Sequence, residues 1–280
     1  MIRYYVRVRT KEQMDAVLQW GNADVLMPDG ELFMNLPSVF SAVRQSLKQP
    51  GIVLCLPDVL RQSRLALTEE RLQALSAGES ETTGLLIRNL DELGMICELR
   101  LQERFRGMLI ADSFLYAYNS EALRFYLDLF PDLWFVGSDE LTNQEQQKAL
   151  EKSALPGERV IIKVYGHQPL MISNQCLNRN YAGCRKKQTS FLDGNKRMFY
   201  AAGNCAQCCS IIYNGTCTWL LDQAGKQGYE GYHDLLLDFT VEDPLQVEHV
   251  LSAVSSAAGS AGRAFIPGRM TRAHHGKGVE

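Results

Sequence analysis

The chain has 280 residues, 46% of them hydrophobic, 22% charged, and a formal net charge of −3. That length supports one large core or two modest ones, and the lack of any apolar run of about 18 residues excludes a membrane-spanning helix. The opening MIRYYVRVRTKEQ lacks the apolar stretch and small-residue cleavage site of a secretory leader, so a cytoplasmic protein with no membrane partner is expected.

Taken in chain order, short β-branched or aliphatic runs alternate with helical patterns, as in parallel strands joined by crossover helices. The strand candidates are YYVRVR (4–9), DVLM (24–27), GIVLCL (51–56), GLLIR (84–88), GMLIA (107–111), LWFVG (133–137), RVIIKVYG (159–166) and DLLLDFT (234–240). Thr10, Asn119 and Thr142 stand ahead of amphipathic stretches as N-cap residues. Eight such units in one chain predict an α/β fold of the (β/α)8 TIM-barrel type, with a doubly wound open sheet as the alternative. The unit around NLDELGMI (89–96) is short for such a barrel. In a barrel, functional groups collect at the C-terminal ends of the strands, which here carry Arg9, Arg88, Asp112, Glu140, Tyr165, His167, Asp238 and Glu242.

One segment breaks the alternation. Residues 167–232 separate the seventh strand from the eighth where a dozen-residue helix would serve, and they form a Cys-rich insertion within a single domain spanning 1–280. Inside it, SFLDGNKRMFYAA (190–202) reads as a hairpin about its Asp-Gly-Asn turn, and CTWLLD (217–222) as a further strand. Six of the chain's eight cysteines lie between Cys176 and Cys217. In a reducing compartment such clustering points to metal binding or redox chemistry rather than to disulfides. Cys176, Cys184 and Cys205, with Cys208 or Cys209, make a four-thiolate set suited to zinc or an iron–sulfur cluster. Its spacing matches no standard zinc ribbon. Cys55 and Cys97 stand alone in apolar surroundings and read as core.

The run VYGHQPLMISNQCLNRNYAGC, then FLDGNKRMFYAAGNCAQCCSIIYNG, LLLDFTVEDP and the terminal TRAHHGKGVE resemble peptidase family U32, the collagenase-like proteases. The likeness is to the later, barrel-like module of longer bacterial members. It also takes in YYVRVRTKEQMDAVLQWGNADVLMPDGELF, YAYNSEALRFY and GSDELTNQEQ. It implies an incomplete or elaborated barrel, a [4Fe-4S] cluster on Cys176, Cys184, Cys205 and Cys208 (zinc being the alternative cofactor), and a function like that of oxygen-independent hydroxylases that modify RNA or small molecules. Two departures stand out: the extra Cys209 in CAQCC, an alternative fourth ligand, and RAHH where relatives carry RGH.

The motifs of a protease are absent: there is no His-Glu-x-x-His helix and no Gly-x-Ser-x-Gly elbow. His167 and Tyr165, with Glu140, are the catalytic candidates, His167 as a general acid or base. Arg9 and Arg88 are candidates to fork onto a carboxylate or phosphate, and Asn119 to orient substrate; helix capping and rim ion pairs account for the same residues equally well. Three readings are thus expected. The first is an iron–sulfur hydroxylase with RNA or an anionic small molecule as partner. The second is a collagenase-like protease. The third is a noncatalytic metal-stabilised module that serves a preceding U32 module.

Overall fold

The computed structural model describes residues 2–183, 188–204, 209–223, 232–259 and 270–272. Seven parallel strands follow one another around a barrel: β1 (Arg3–Val8), β2 (Val25–Pro28), β3 (Gly51–Cys55), β4 (Gly84–Ile87), β5 (Met108–Ala111), β6 (Trp134–Val136) and β7 (Val160–Ser173). The insertion supplies β8 (Thr189–Leu192), β9 (Met198–Asn204) and β10 (Cys209–Trp219). The eighth barrel strand, β11 (Asp234–Asp238), then pairs in parallel with both β1 and β7. This double pairing closes the barrel, so the expected (β/α)8 architecture is present, whole rather than incomplete, and the open-sheet alternative falls.

Outside the strands lie α1 (Lys11–Trp20), α2 (Leu36–Gln45), α3 (Gln62–Ser76), α4 (Leu90–Glu98) with the single turn α5 (Leu101–Arg104), α6 (Ser120–Leu129) and α7 (Asn143–Ser153). The insertion adds α8 (Leu177–Ala182), and α9 (Pro244–Gly259) follows β11. Thr10 and Thr142 each form a reciprocal capping box, and Asn119 accepts from the Glu121 and Ala122 amides; these satisfy donors that the first helical turn leaves orphaned. The short unit is accommodated by splitting its helix into α4 and α5.

Alternation along the strands sorts the side chains. One set, including Val6, Leu54, Leu85, Ile162 and Leu237, joins the core under the helices. The other fills the barrel interior with Tyr5, Met27, Val53, Cys55, Leu86, Ile110, Val136, Ile161 and Leu236. At the N-terminal end the interior is plugged by Arg3, which donates to both oxygens of Asp234 at 2.6 Å and lies over the Trp134 ring.

β7, with 14 residues against 3 in β6 and 5 in β11, is far longer than its barrel neighbours because it serves two sheets. Its first half is a barrel stave. Its second half runs out of the barrel and pairs antiparallel with β10, which continues through β9 to the edge strand β8. The insertion is therefore an antiparallel lobe rooted in the seventh stave. The expected hairpin is present as β8–β9, turning at Asp193. The strand expected at 217–222 instead begins at Cys209 and ends at Trp219, because its register is fixed by pairing with β7 on one side and β9 on the other. A two-residue strand, β12 (Met270–Thr271), adds to β10.

Gly166 marks the branch point, with φ +147° and the Asp238 carbonyl 2.8 Å from where a Cβ would stand. Both the backbone conformation and the space exclude a side chain there. Gly166→Ala is expected to destabilise the protein by about 2–4 kcal/mol, read as a lowered midpoint in denaturant unfolding.

Candidate active site at the barrel mouth

At the C-terminal mouth the apolar interior gives way to a layer of charge. Arg7 donates through Nε to Asp238 Oδ1 at 2.7 Å, through Nη2 to Asp238 Oδ2, and through Nη1 to Asp112 Oδ2 at 2.9 Å. Arg88 reaches Asp58 at 2.5 Å, Asp29 at 2.9 Å and Asp112 at 3.2 Å. Arg9 lies 3.0 Å from Asp29 and 3.3 Å from Asp58. Three guanidinium groups and four carboxylates from β1 and from the ends of β2, β3, β4, β5 and β11 thus form one lattice. Asp112 is shared between Arg7 and Arg88, and Asp29 and Asp58 between Arg88 and Arg9.

Burial alone would neutralise these groups, but their mutual attraction reverses the outcome. Burial works against the Asp29 charge, yet Arg88, Arg9 and Arg7 together hold its carboxyl well below the usual carboxylate range. Burial likewise opposes the Arg7 and Arg88 charges, and the facing aspartates outweigh it. Breaking such a buried pair by removing one partner costs about 3–5 kcal/mol, since the other charge is left uncompensated.

The lattice decides what the expected substrate-binding residues do. Arg88 is 2% exposed, with all its nitrogens engaged by aspartates, and its backbone amide donates to Glu92 Oε2 at 2.8 Å. Arg9 spends its charge on Asp29 and Asp58, and its guanidinium lies 5.7 Å from the centre of the Tyr213 ring on β10. Arg88 thus presents no free fork to an anion, and Arg9 is paired through Nη2 while its enclosed Nε has no partner among the described residues. Asn119 is the cap of α6, so it too has a structural task. Arg7, Asp29 and Asp58 escaped the sequence reading, although the arginines at alternate positions of YVRVR were a usable signal. Inward-facing charge on a barrel stave requires partners on other staves.

Tyr165 and His167 lie on the outer side of the mouth. The Tyr165 hydroxyl donates to Glu242 Oε1 at 2.9 Å, and its ring packs edge-on against Trp219. Glu242 Oε2 accepts from the Thr240 and Val241 amides at 2.6 and 2.9 Å. His167 places Nδ1 2.7 Å from the Asn214 carbonyl and Nε2 3.7 Å from Glu242 Oε1. The trio is buried and engaged within the protein, pinning the lobe and the loop after β11 to each other. Burial, reinforced by the Glu242 charge, drives the Tyr165 phenol far above its ordinary value, so it stays protonated as a donor.

Glu140 is placed differently: it is exposed. A cleft of about 320 Å³ opens between the loops after β5 and β6 and the outer half of β7, walled by Phe114, Tyr116, Tyr118, Asp139, Glu140 and Met171 among others. The Tyr118 hydroxyl lies near Glu140 and Ser138, and burial together with the Glu140 charge raises it well above an ordinary phenol. Asp139 pairs through Oδ2 with the buried Lys163 ammonium, while its enclosed Oδ1 has no partner among the described residues.

Of the expected thiolate ligands, Cys176 is described, and Cys184, Cys205 and Cys208 lie outside the described residues. Cys176 and the alternative ligand Cys209 are both buried, on segments joined by the Leu177 amide donating to Ser210 Oγ at 3.1 Å. Burial, with Asp58 adding to it, lifts the Cys209 thiol to about 11. No group of three His, Cys, Asp or Glu suited to a metal ion occurs among the described residues. Cys176 and Cys209 are soft donors of the chemical type that a thiolate-bound centre uses.

No family model and no curated protein sequence matches the chain. Solved structures that resemble it include the spore cortex-lytic enzyme SleL of Bacillus megaterium (11% identity, 91% of this chain and 74% of that chain covered, TM-score 0.44). They also include the C-terminal domain of a putative chitinase of Desulfitobacterium hafniense (9%, 91% and 99% covered, TM-score 0.45) and the chitinase ChiW of a Paenibacillus species (10%, 92% and 33%, TM-score 0.44). With a cortex-lytic enzyme and chitinases as its structural neighbours, the expected function does not stand in any of its three forms: iron–sulfur hydroxylase, collagenase-like protease or accessory U32 module. No described helix is long and apolar enough to cross a membrane.

Glu92, which braces Arg88 from behind, gives the site a pH signature. Burial pushes its carboxyl up to about 8, against an ordinary value of 4.5, despite the Arg88 amide and charge. A carboxyl raised on folding binds its proton more tightly in the native state, so its contribution is fully present below about pH 4.5 and is lost as pH rises through about 8. Glu92→Gln, which keeps the acceptor and removes the charge, is expected to gain stability relative to the parent as pH rises from 5 to about 8.5; paired denaturant titrations at those two pH values read the difference.

Proposed function

We propose that the chain is a (β/α)8 hydrolase whose reaction takes place in the cleft at the mouth, with Glu140 as the proton-transfer group. The observation that carries this reading is the contrast among the candidate residues. His167, Tyr165 and Glu242 are buried and mutually engaged, Arg9 and Arg88 are held by aspartates, and Glu140 stands on an open cleft with a phenol nearby. A general acid or base must reach the proton it moves, and Glu140 meets that condition. Tyr118, kept protonated by burial and by the nearby Glu140 charge, would serve as a donor to that carboxylate. Asp139 and Lys163 set a fixed dipole beside it. An exposed carboxylate on an open cleft is suited to activating water, and hydrolysis is the reaction class this reading takes.

The test is a panel of chromogenic aryl glycosides, aryl esters and anilides. Turnover of at least one member is expected, with Glu140→Gln slowing it by about 10²–10⁴-fold at unchanged thermal stability. Full activity in Glu140→Gln would place the chemistry elsewhere.

The lobe supports a separate proposal about cofactor. Its thiols, Cys176 with Cys184, Cys205 and Cys208 or Cys209, are suited to hold a [4Fe-4S] cluster or zinc, either of which would supply cross-linking that an antiparallel lobe with few core residues needs. Anaerobic purification is expected to yield stoichiometric iron and sulfide, or zinc, and Cys176→Ser to lose it. Metal-free protein with an unchanged lobe would sink the proposal.

A further inference from the structure

Resting on the assignment of the cleft as the reaction site, we infer that the lobe is a hinged gate. It pivots on its two root strands, at Gly166 of β7 and residues 214–216 of β10, and its swing sets the width of the cleft that holds Glu140. Three features coincide along that line. On β7, Gly166 has φ +147°, outside the range of an ordinary strand residue. On β10, the pairing of Tyr213 with Pro169 and of Cys217 with His167 leaves Asn214, Gly215 and Thr216 opposite Gln168 alone. Extra residues on one strand bend it and interrupt its ladder, so both root strands lose regular geometry at nearly the same level.

The third feature is a division of the core. Below the line, Tyr165, Cys217 and Trp219 belong to the large cluster under the helices. Above it, Ile172, Ala202, Ile211 and Tyr213 belong to a separate small cluster, which the barrel enters only through Val241 among the described residues. A segment with few apolar contacts to the rest of a molecule is the kind that moves at low free-energy cost.

Away from the root, the contacts that hold the lobe down are polar or partly polar. Arg61, in the loop after β3, donates through Nε to Asn174 Oδ1 at 3.0 Å and through Nη2 to the Asn174 carbonyl, and the Arg9 guanidinium lies over the Tyr213 ring. Hydrogen bonds at an exposed residue such as Asn174 exchange for water at small net cost, which makes them a latch. His167 is bonded to the Asn214 carbonyl and meets the Tyr200 ring edge-on, but it sits on the hinge line, where contacts survive a rotation.

The cleft straddles this line. Tyr118 and Glu140 stand on barrel loops, whereas Leu170 and Met171 belong to the outgoing half of β7 and travel with the lobe. Those two side chains are 49% and 52% exposed, apolar surface that narrowing the cleft over a bound substrate would cover. Closure of this kind excludes water and completes a reaction site.

The experiment measures distances between pairs of spin labels, carried on a ketone-bearing amino acid so that the native cysteines stay untouched, in the otherwise full-length protein and in its Arg61→Ala variant. One pair joins lobe to barrel (positions 192 and 47), one lies within the barrel (47 and 90) and one within the lobe (192 and 180), all at exposed residues. Arg61→Ala is expected to raise the population of a second lobe-to-barrel distance by about three- to tenfold, with both internal distances unchanged. A single lobe-to-barrel distance common to both proteins would overturn the inference, as would a change that the within-lobe pair shares, since that reports unfolding of the lobe. Because these distances are read without substrate, the two readings of the cleft separate. A lobe that swings in a protein that hydrolyses nothing removes only the reaction site, and turnover under a lobe that stays fixed removes only the gate.

Discussion

Everything at the mouth of this barrel is arranged around the need to bury charge without leaving it alone. Once β1 carries Arg7 inward near its C-terminal end, carboxylates must arrive from other staves: Asp238 from the neighbouring β11 and Asp112 from after β5, across the barrel. Arg88 repeats the demand from β4 and is met by Asp29, Asp58 and Asp112. Each group is tolerable only because the others are in place, so the lattice ties six strand ends into one unit. It favours a single arrangement of the strand ends, because a stave displaced by one residue would turn its charge away from the interior.

The same lattice separates support from chemistry. Groups that sit at strand ends in a barrel are candidates for catalysis by position alone, and most of those here are spent on one another. What is left for a ligand lies off-centre, where the loops after β5 and β6 meet the outgoing half of β7. The lobe reinforces this division. Tyr213 lies over Arg9, and Arg61 donates to the Asn174 side chain, so the lobe sits upon the central charges, while the lateral cleft stays open.

Much of the fold was legible because parallel staves buried on both faces leave compact aliphatic runs, and all eight appeared at their places, with edges shifted by a residue or two except at β7, which runs on from the expected 166 to Ser173 to join the lobe. The caps at Thr10, Asn119 and Thr142 were legible for the same local reason. Roles at the site were less so. Arg88 in GLLIR looks available until Asp29 and Asp58, 59 and 30 residues away, are brought against it, and pairing through space leaves no mark in a linear string. Glu140 was picked from its place after the sixth strand. Its companion Asp139 was not, because a partnerless oxygen is a property of the folded chain.

A last consequence concerns order of assembly. The eighth stave is also the final one to be made, and it must slot between the first and the seventh, meeting residues 231 positions earlier in the chain. Until it does, two sheet margins stand open and the arginines of β1 lack Asp234 and Asp238. The nascent molecule therefore emerges as an unsealed trough with its lobe already synthesised. Closure is the longest-range of the barrel's strand pairings, the kind of contact whose loop-closure entropy must be met before it is rewarded, and until then both margins are open to pairing with another chain.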